Sequence, residues 1–383
     1  PASTIGLGEP SNGKQYTSGI NPLVDLANTD NNRRGYYLLA NLFAEIQPVK
    51  GLKVKSQFSP TLRTSRSGEY YGVKTNKRRT AKTDMAQVAK REYLEYTWDN
   101  SVTYSRVIGD HSFDASYIFS VYETRYEDTD TQVEDLATPG IYNLGSGSKI
   151  NYSKSNFIAT AMLSHILRLN YDYKGKYLFT VSNRWDGSSK LAKKWESFFA
   201  AAAGWRLSEE NFLKDEDWLS NLKLRVSFGY TGNNNISAYS QWTLPSIKSW
   251  YGFGLGNDLA LGYSPNGIAN PNLTWEKTRE INAGLDFGFF RGRISGTFDY
   301  YNKLSDGLLM DRVLPYEAGV YKSKVKDNVG SVRNTGIEVG LTTINVNKKN
   351  VTWSTSFTYS RNKNKIESLY GEKKDDLANK WFI

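Results

Sequence analysis

Residues 281–289 read INAGLDFGF, and their alternation decides the fold. Every odd position carries an apolar side chain, and every even position carries a small or polar one. Successive side chains of a β-strand point to opposite faces of a sheet, so this stretch predicts a strand with one apolar and one polar face. The same two-residue period returns in residues 222–230, 294–300 and 351–359. The sequence therefore predicts an all-β chain.

The composition agrees with a β protein and excludes several kinds of chemistry. The chain has 383 residues, a net charge of +10 and 14% aromatic residues, with 26 Tyr and 10 Trp but no Cys. Without Cys, thiol catalysis, zinc–thiolate sites and iron–sulfur clusters are excluded. We interpret the basic run at residues 74–90 as a solvated loop rather than a nucleic-acid surface. We expect no enzymatic activity, no cofactor, no metal site and no nucleic-acid partner.

The connections between strand candidates alternate between short turns and long loops. About twelve candidates of ~9–13 residues are found, which is the length that a tilted strand needs to cross a bilayer. In an antiparallel meander, this alternation places the tight turns at one end and the long loops at the other, as in transmembrane barrels. We therefore expect residues 1–383 to form one partial, antiparallel, transmembrane β-barrel domain. Its long extracellular loops are expected at about residues 64–91, 127–156, 232–273 and 305–330.

The polar face of these strand candidates carries more charge than a packed protein core accepts. A water-filled lumen accommodates such charges, while the apolar face would contact lipid. Two alternatives stay open at this point. One is a secreted or surface β-rich protein for carbohydrate binding or adhesion, and the other is a passive porin. The inward-facing charged residues are Arg184, Lys223, Arg225, Asp286, Arg293, Asp299 and Glu338.

Several short strings go beyond generic strand chemistry and occur in a fixed order. Together they resemble the SusC/RagA family of TonB-dependent outer-membrane transporters, over about residues 169–363. The strings are RWDGSS at 184–189, GWRLSEE at 204–210, LKLR at 222–225, GYTGN at 229–233, NPNLTWEKT at 270–278, DYYNK at 299–303 and VGSVRNTGIE at 329–338.

The resemblance implies a 22-stranded barrel that is closed by an N-terminal plug domain. It also implies import of large nutrients, either oligosaccharides or peptides, across the cell outer membrane. The implied partners are the lipid bilayer, a SusD-like surface lipoprotein and the TonB–ExbB–ExbD complex, the last through parts of the protein outside this chain. Because about twelve strand candidates fall short of 22 and no plug domain is visible, we expect an internal section of a longer transporter.

Two groups of residues are candidates for a role in the site. The first comprises motif residues that build the barrel: we expect Trp205 and Trp275 to anchor strand ends at the membrane interface, and Asn334 to Gly336 to form a bend. The whole first group is Arg184, Trp185, Asp186, Gly204, Trp205, Trp275, Glu276, Asn334, Gly336 and Glu338. The second group is aromatic. We expect it to contact substrate, with packing of the loop on itself or on the lipoprotein as the alternatives: Trp242, Trp250, Tyr251, Phe253 and Tyr263.

Overall fold

The computed structural model describes residues 22–78, 80–252, 259–265, 267–314, 324–369 and 372–373, with the side chains of 246–250 and 372–373 left aside. In these described ranges, one α-helix, α1, spans Pro22–Ala27, and short 3-10 turns span Asn76–Arg78, Leu144–Ser146 and Leu207–Glu209. Within these residues, no helix combines the length and the apolar character needed to pass through a bilayer. The strands are β1 Thr29–Leu39, β2 Leu42–Val49, β3 Leu52–Tyr71, β4 Met85–Ile108, β5 His111–Leu136, β6 Gly147–Tyr173, β7 Tyr177–Ser188, β8 Trp195–Arg206, β9 Leu219–Asn233, β10 Pro245–Gly252, β11 Leu259–Pro265, β12 Glu276–Phe289, β13 Ile294–Asp306, β14 Leu309–Val313, β15 Lys324–Asn328, β16 Ser331–Lys348, β17 Val351–Leu369 and β18 Glu372–Lys373.

One antiparallel sheet contains most of these strands. Its order is β1-β3-β4-β5-β6-β7-β8-β9-β12-β13-β16-β17-β18, and β2 also pairs with β3. Two hairpins, β10–β11 and β14–β15, form separate two-stranded sheets. The predicted all-β, antiparallel fold is therefore confirmed.

The chain divides into two compact units. The first comprises residues 1–42, 57–98 and 122–160, and the second comprises residues 43–56, 99–121 and 161–383. The first unit has a small buried cluster of Tyr70, Ala86, Val133 and Leu136. The second unit has its own buried cluster of Leu191, Phe198, Ile236, Leu273 and Trp275.

The strands are longer than the apolar pattern predicted, which corrects the first two loops. Strands β3 to β6 contain 20, 24, 26 and 27 residues. The expected loops 64–91 and 127–156 therefore shrink to residues 72–84 and 137–146. The reason is that an antiparallel ladder continues wherever backbone groups pair, without apolar side chains. Polar cross-strand contacts support these extensions, such as Gln87 Nε2 donating to Asp130 at 2.9 Å.

The other two predicted loops contain structure of their own. The expected loop 232–273 includes the hairpin β10–β11, and the expected loop 305–330 includes β14–β15. Two cross-strand ion pairs link β14 to β15: Arg312 with Asp327 at 3.0 Å, and Lys326 with Asp311 at 2.8 Å. The two regions predicted as loops therefore contain paired strands as well as irregular segments.

Candidate functional site: a two-faced sheet and a loop junction

The polar face of the second unit contains an ion network that spans three strands. Arg225 on β9 donates to Asp286 on β12 at 2.8 Å and to Asp299 on β13 at 3.2 Å. Gly284 lies directly between Arg225 and Asp299 in the register, and a Cβ at this glycine would come within 2.8 Å of the guanidinium carbon. The glycine thus gives the arginine room to cross β12 and reach both carboxylates. Three of the predicted inward charges meet here.

A second polar cluster lies nearer the loop end of the same face. Arg184 Nε donates to both carboxylate oxygens of Asp186 at 2.7 Å, and its Nη2 donates to Ser164 Oγ at 3.1 Å. Asp186 and Ser164 are buried, with 5% and 1% exposure. A buried carboxylate stays favourable only when a charged partner and hydrogen bonds satisfy it, and Arg184 supplies both.

Cavities lie along this polar face, and two of them adjoin the ion pairs just described. One of about 400 Å³ is lined by Asp114, Asn170, Lys223 and Arg225, together with smaller side chains. The other, of about 500 Å³, includes Arg184 in its lining. Their walls offer charged, amide and hydroxyl groups, a lining that suits hydrated passage or binding.

Above the second cavity, loops join in a packed region that we call the loop junction, comprising residues 188–194, 234–241, 270–276 and 324–328. Leu191 and Leu273 are fully buried in it, and Trp275 is 4% exposed. Trp275 Nε1 donates to the Lys194 carbonyl at 2.8 Å, so its ring and its N–H are both satisfied. Gln241 Nε2 likewise donates to the Ser189 carbonyl at 3.0 Å.

The string at residues 270–276 connects this junction to the hairpin β14–β15. Asn270 Nδ2 donates to the Lys326 carbonyl at 2.9 Å. Asn328 accepts from the Thr274 backbone N–H at 2.8 Å and donates to the Thr274 carbonyl at 2.9 Å. Glu276 accepts from the Leu309 backbone N–H at 3.2 Å. Backbone groups that would otherwise lack a partner are thereby paired across loops that are far apart in the sequence.

Two expectations for motif residues are wrong. Trp275 does not anchor a strand end at an interface, because it is buried in the loop junction. Asn334 and Gly336 do not form a bend, since both lie within β16. Gly336 is needed for a close approach instead: a Cβ there would clash with the Tyr301 hydroxyl and the Arg361 carbonyl. A tryptophan beside a strand end can anchor at an interface or pack under a loop, and a glycine can form a bend or permit a close approach. The sequence pattern does not distinguish these roles.

Other motif residues lie on the face that their strand position predicts. Glu338 is exposed and stands directly opposite Asp299 on the polar face. Gly204, on the same face, is opposite Arg225, and a Cβ there would approach the Lys223 side chain at 3.3 Å. Trp185 and Trp205 are 40% and 37% exposed on the opposite face.

A cluster of polar groups closes the turn end of the apolar face. Glu210 accepts hydrogen bonds from the Tyr177 hydroxyl at 2.6 Å and from Trp205 Nε1 at 3.0 Å, and it pairs with Lys176 at 3.3 Å. The hydrogen bond from Tyr177, followed by those from Trp205 and Lys176, lowers the pKa of Glu210 below its ordinary value. Glu210 therefore fixes the polar ends of two aromatic rings whose apolar bodies are on the strand face.

The apolar face of the second unit is exposed over several strands. Two pairs of aromatic residues bound it: Trp185 and Trp195 towards the loops, and Tyr177 and Trp205 towards the turns. The ten residue steps from Trp195 to Trp205 cover ~33 Å along the strand at ~3.3 Å per step, or ~25 Å in height at a tilt of ~40°. That height matches the apolar band of membrane barrels. Exposed residues between and beside these bands include Val181 42%, Val226 51%, Ile281 46%, Phe298 41%, Tyr300 45% and Phe357 57%.

The aromatic substrate candidates lie on and before the hairpin β10–β11. Trp242 stacks on Tyr239 with ring centroids 5.8 Å apart and is 55% exposed. Tyr251 donates from its hydroxyl to the Tyr263 carbonyl at 3.1 Å, and Tyr263 is 71% exposed. The side chain of Trp250 and all of Phe253 fall outside the described residues. Substrate contact by this group stays a prediction.

An antiparallel sheet with one exposed apolar face and one ion-paired polar face defines the class of transmembrane β-barrel proteins. The family model described as "TonB dependent receptor-like, beta-barrel" matches residues 3–381. The chain belongs to this family of TonB-dependent receptor barrels, which confirms the resemblance noted in the sequence.

Individual relatives agree with this assignment. The chain is 31% identical over 356 residues to TonB-dependent receptor P3 of Formosa agariphila, covering 91% of this chain and 35% of that protein. It is 40% identical over 216 residues to TonB-dependent receptor SusC of Bacteroides thetaiotaomicron, covering 55% of this chain and 21% of that protein. The chain therefore spans about a third or less of the relatives that it matches.

A solved structure shares the fold. The RagAB peptide transporter structure superposes with a TM-score of 0.81 at 23% identity, covering 90% of this chain and 38% of the other chain. At this level of identity, the likeness shows the fold alone. The fold and family leave the substrate and the partners of the whole protein to be proposed.

Proposed function

We propose that the protein containing this chain imports oligosaccharides or peptides across the outer membrane, using energy from a TonB–ExbB–ExbD complex. This chain contributes a section of the barrel wall. A SusD-like surface lipoprotein delivers substrate from the loop side, and the substrate passes along the polar face without covalent chemistry. The observation that carries the proposal is the exposed apolar face of the second unit, which is ~25 Å high between two aromatic bands.

Contact with lipid explains the exposed apolar side chains of this face better than contact with water does. Soluble monomers rarely expose contiguous apolar patches larger than a few hundred Å². Val226 on β9, Ile281 on β12 and Phe298 on β13 are on three successive strands of the sheet, and each is between 41% and 51% exposed. A secreted adhesion or carbohydrate-binding protein would need a second layer of protein over these residues.

The polar face supports regulated passage through a hydrated interior. Arg225 pairs with both Asp286 and Asp299, so the wall is polar and part of its charge is compensated in place. Such a surface suits reversible contacts with a plug domain and with polar substrates. A passive porin would share the polar lining but would conduct without an energy source.

The loop side supports a role in partner or substrate contact. The loop junction holds the long loops in place, and the hairpin β10–β11 presents Leu259, Leu261 and Tyr263 at 58–71% exposure. Alternate residues of a strand share a face, so these three side chains form one apolar surface. We propose that this surface meets the lipoprotein, with Trp242 and Tyr251 available to substrate.

Uptake by the full-length protein tests the proposal. Cells that express it are given a labelled oligosaccharide mixture or a labelled peptide mixture, with TonB present or deleted. The RagAB likeness makes peptides the first class to test. We expect outer-membrane fractionation and TonB-dependent uptake of one class.

Two outcomes would contradict the proposal. Recovery of the full-length protein as a water-soluble monomer that binds no detergent would favour the adhesion alternative. A permanently open conductance in planar bilayers, with uptake that does not depend on TonB, would favour a passive porin.

A further inference from the structure

Apolar side chains lie on the polar face of the second unit, just below the loop junction. Ile166 on β6 is the register partner of Arg184 on β7, and Arg184 is in turn the partner of Phe198 on β8. Met162 precedes Ile166 by four residues on β6 and therefore shares its face. Contact of these side chains with a hydrated interior is unfavourable, so an apolar partner would stabilise them.

The cavity of about 500 Å³ lies against these side chains. Its apolar wall consists of Met162, Ile166, Phe198 and Trp275. Ala200, also in the lining, carries only a methyl group and leaves depth between the larger side chains. Ligand pockets in proteins have volumes of about 300–1,000 Å³ and mostly apolar linings with a few polar groups. The cavity therefore has the size and the lining of a binding pocket.

The loop junction holds the apolar wall in place. The rings of Phe198 and Trp275 meet edge to face at 5.5 Å, and Met162 packs against the same buried cluster. A Cβ at Gly232 on β9 would collide with the Phe198 ring, so the glycine lets this ring lie close to the sheet. The wall is thus formed before any ligand arrives, which lowers the cost of binding.

The charged groups of the lining have partners nearby. Arg184 donates to both carboxylate oxygens of Asp186 at 2.7 Å. Arg168, the other cation of the lining, donates from Nε to the Asn170 side-chain oxygen at 3.2 Å. Asn170 Nδ2 donates in turn to Asp114 at 3.1 Å, so a carboxylate lies one amide away from Arg168. The cavity is therefore suited to a neutral, apolar group rather than to an ion.

We propose that this cavity binds one large apolar side chain of a peptide substrate. The inference rests on the proposed function and narrows its substrate to peptides. A peptide residue combines an apolar side chain with backbone amide groups, which the hydroxyl of Thr231 and the amide of Asn234 in the lining can pair. A sugar ring would instead press hydroxyl groups against Met162, Ile166 and Phe198, where they would lose hydrogen bonds to water.

The test measures peptide binding to the full-length protein in lipid nanodiscs, so that free detergent does not compete for the cavity. The peptides are short and identical except for the central residue, which is Leu, Trp or Ser. Ala200→Phe places a ring in the cavity. Ala202→Phe is the matched control, because it makes the same change on the same face of β8, two residues away and outside this lining.

We expect the unaltered protein to bind the Leu peptide about 10- to 100-fold more tightly than the Ser peptide, as burial of one large apolar side chain implies. Ala200→Phe should bring the two affinities close together, whereas Ala202→Phe should keep their ratio. Ile166→Ala enlarges the cavity away from the loop junction. It should raise the affinity for the Trp peptide relative to the Leu peptide about tenfold.

Equal binding of the Leu and Ser peptides by the unaltered protein would overturn the inference. So would an equal loss of preference in both Phe variants, or an unchanged order of Leu and Trp in Ile166→Ala. Failure of the proposed function looks different, because cells would then take up neither peptides nor oligosaccharides in a TonB-dependent way. TonB-dependent uptake of oligosaccharides without any peptide binding would keep the proposed function and reject the inference.

Discussion

The loop junction and the outward face of the second unit contain similar residues in opposite surroundings. In the junction, Leu191 and Leu273 have no exposed surface and Trp275 has 4%. On the outward face, Val226 is 51% exposed and Phe298 is 41% exposed. Apolar character is therefore the same in both places, and the medium differs: protein covers the junction, while the outward face has its cover in lipid.

Replacement of Trp275 by Ala should cause the largest loss of stability among the variants that test the difference between the loop junction and the outward face. The substitution removes a buried aromatic side chain and leaves the Lys194 carbonyl without its donor. A cost of about 3–5 kcal/mol is expected for loss of a buried Trp, and it should fall on the loops rather than on the strands. Hydrogen exchange should show faster exchange at residues 188–194 and 324–328, with the ladder between β12 and β13 unchanged.

Trp205→Ala is the matched control for this substitution, because Trp205 is 37% exposed on the outward face. It should leave exchange in the loop junction unchanged. If the two variants expose the same loops equally, the junction does not stabilise the loops as described.

The position of Trp275 also shows where sequence-based prediction ends. The two-residue period identified β12 and β13 and the side of the sheet that Asp286 and Asp299 occupy. It could not locate Trp275, because the first residues of a strand next to a loop can pack under that loop or meet an interface. The partners that decide the matter, Lys194 and Phe198, are brought near only by the fold, and no spacing in the sequence marks them.

Ala201→Arg tests which face of the sheet meets lipid and which faces the lumen. Its effect on the amount of folded protein should be the next largest. Ala201 is close to midway between Trp195 and Trp205 and is on their face of β8, whereas Ala202 is on the polar face. An arginine near the middle of the lipid-facing band costs about 2–4 kcal/mol, while an arginine on the lumen side is hydrated. We expect Ala201→Arg to reduce the amount of folded protein in outer membranes, measured by heat-modifiable gel mobility.

Ala202→Arg supplies the control one residue away, with the same change in charge and volume. It should fold at close to the normal level. A larger defect for Ala202→Arg than for Ala201→Arg would reverse the two faces and contradict the membrane assignment of this unit.

The extensions of β3 to β6 teach a different lesson about prediction. The apolar period stops at Tyr126, just before the expected loop 127–156, but β5 continues to Leu136. Beyond that point, polar side chains pair with one another, as Thr131 does with Ser153 at 2.9 Å. An alternation of polar with polar residues carries no hydropathy signal, so the length of the extension could not be read from the sequence.

The smallest effect is expected from acidification of the loop region of the first unit, where Arg78 binds Glu134 near the end of β5. The hydrogen bond from Arg78 lowers the pKa of Glu134 below its ordinary value of 4.5, and a group with a lowered folded-state pKa stabilises the structure above its unfolded-state pKa. This stabilisation should be complete above about pH 4.5 and should be lost as the pH falls through the lower, folded-state pKa. Limited proteolysis within residues 72–84 should therefore accelerate in acid, and the acceleration should be weaker in Glu134→Gln. In that variant, the residue that accepts from Arg78 has no proton to gain. An acid response identical to that of the unaltered protein would therefore assign the effect to another carboxylate.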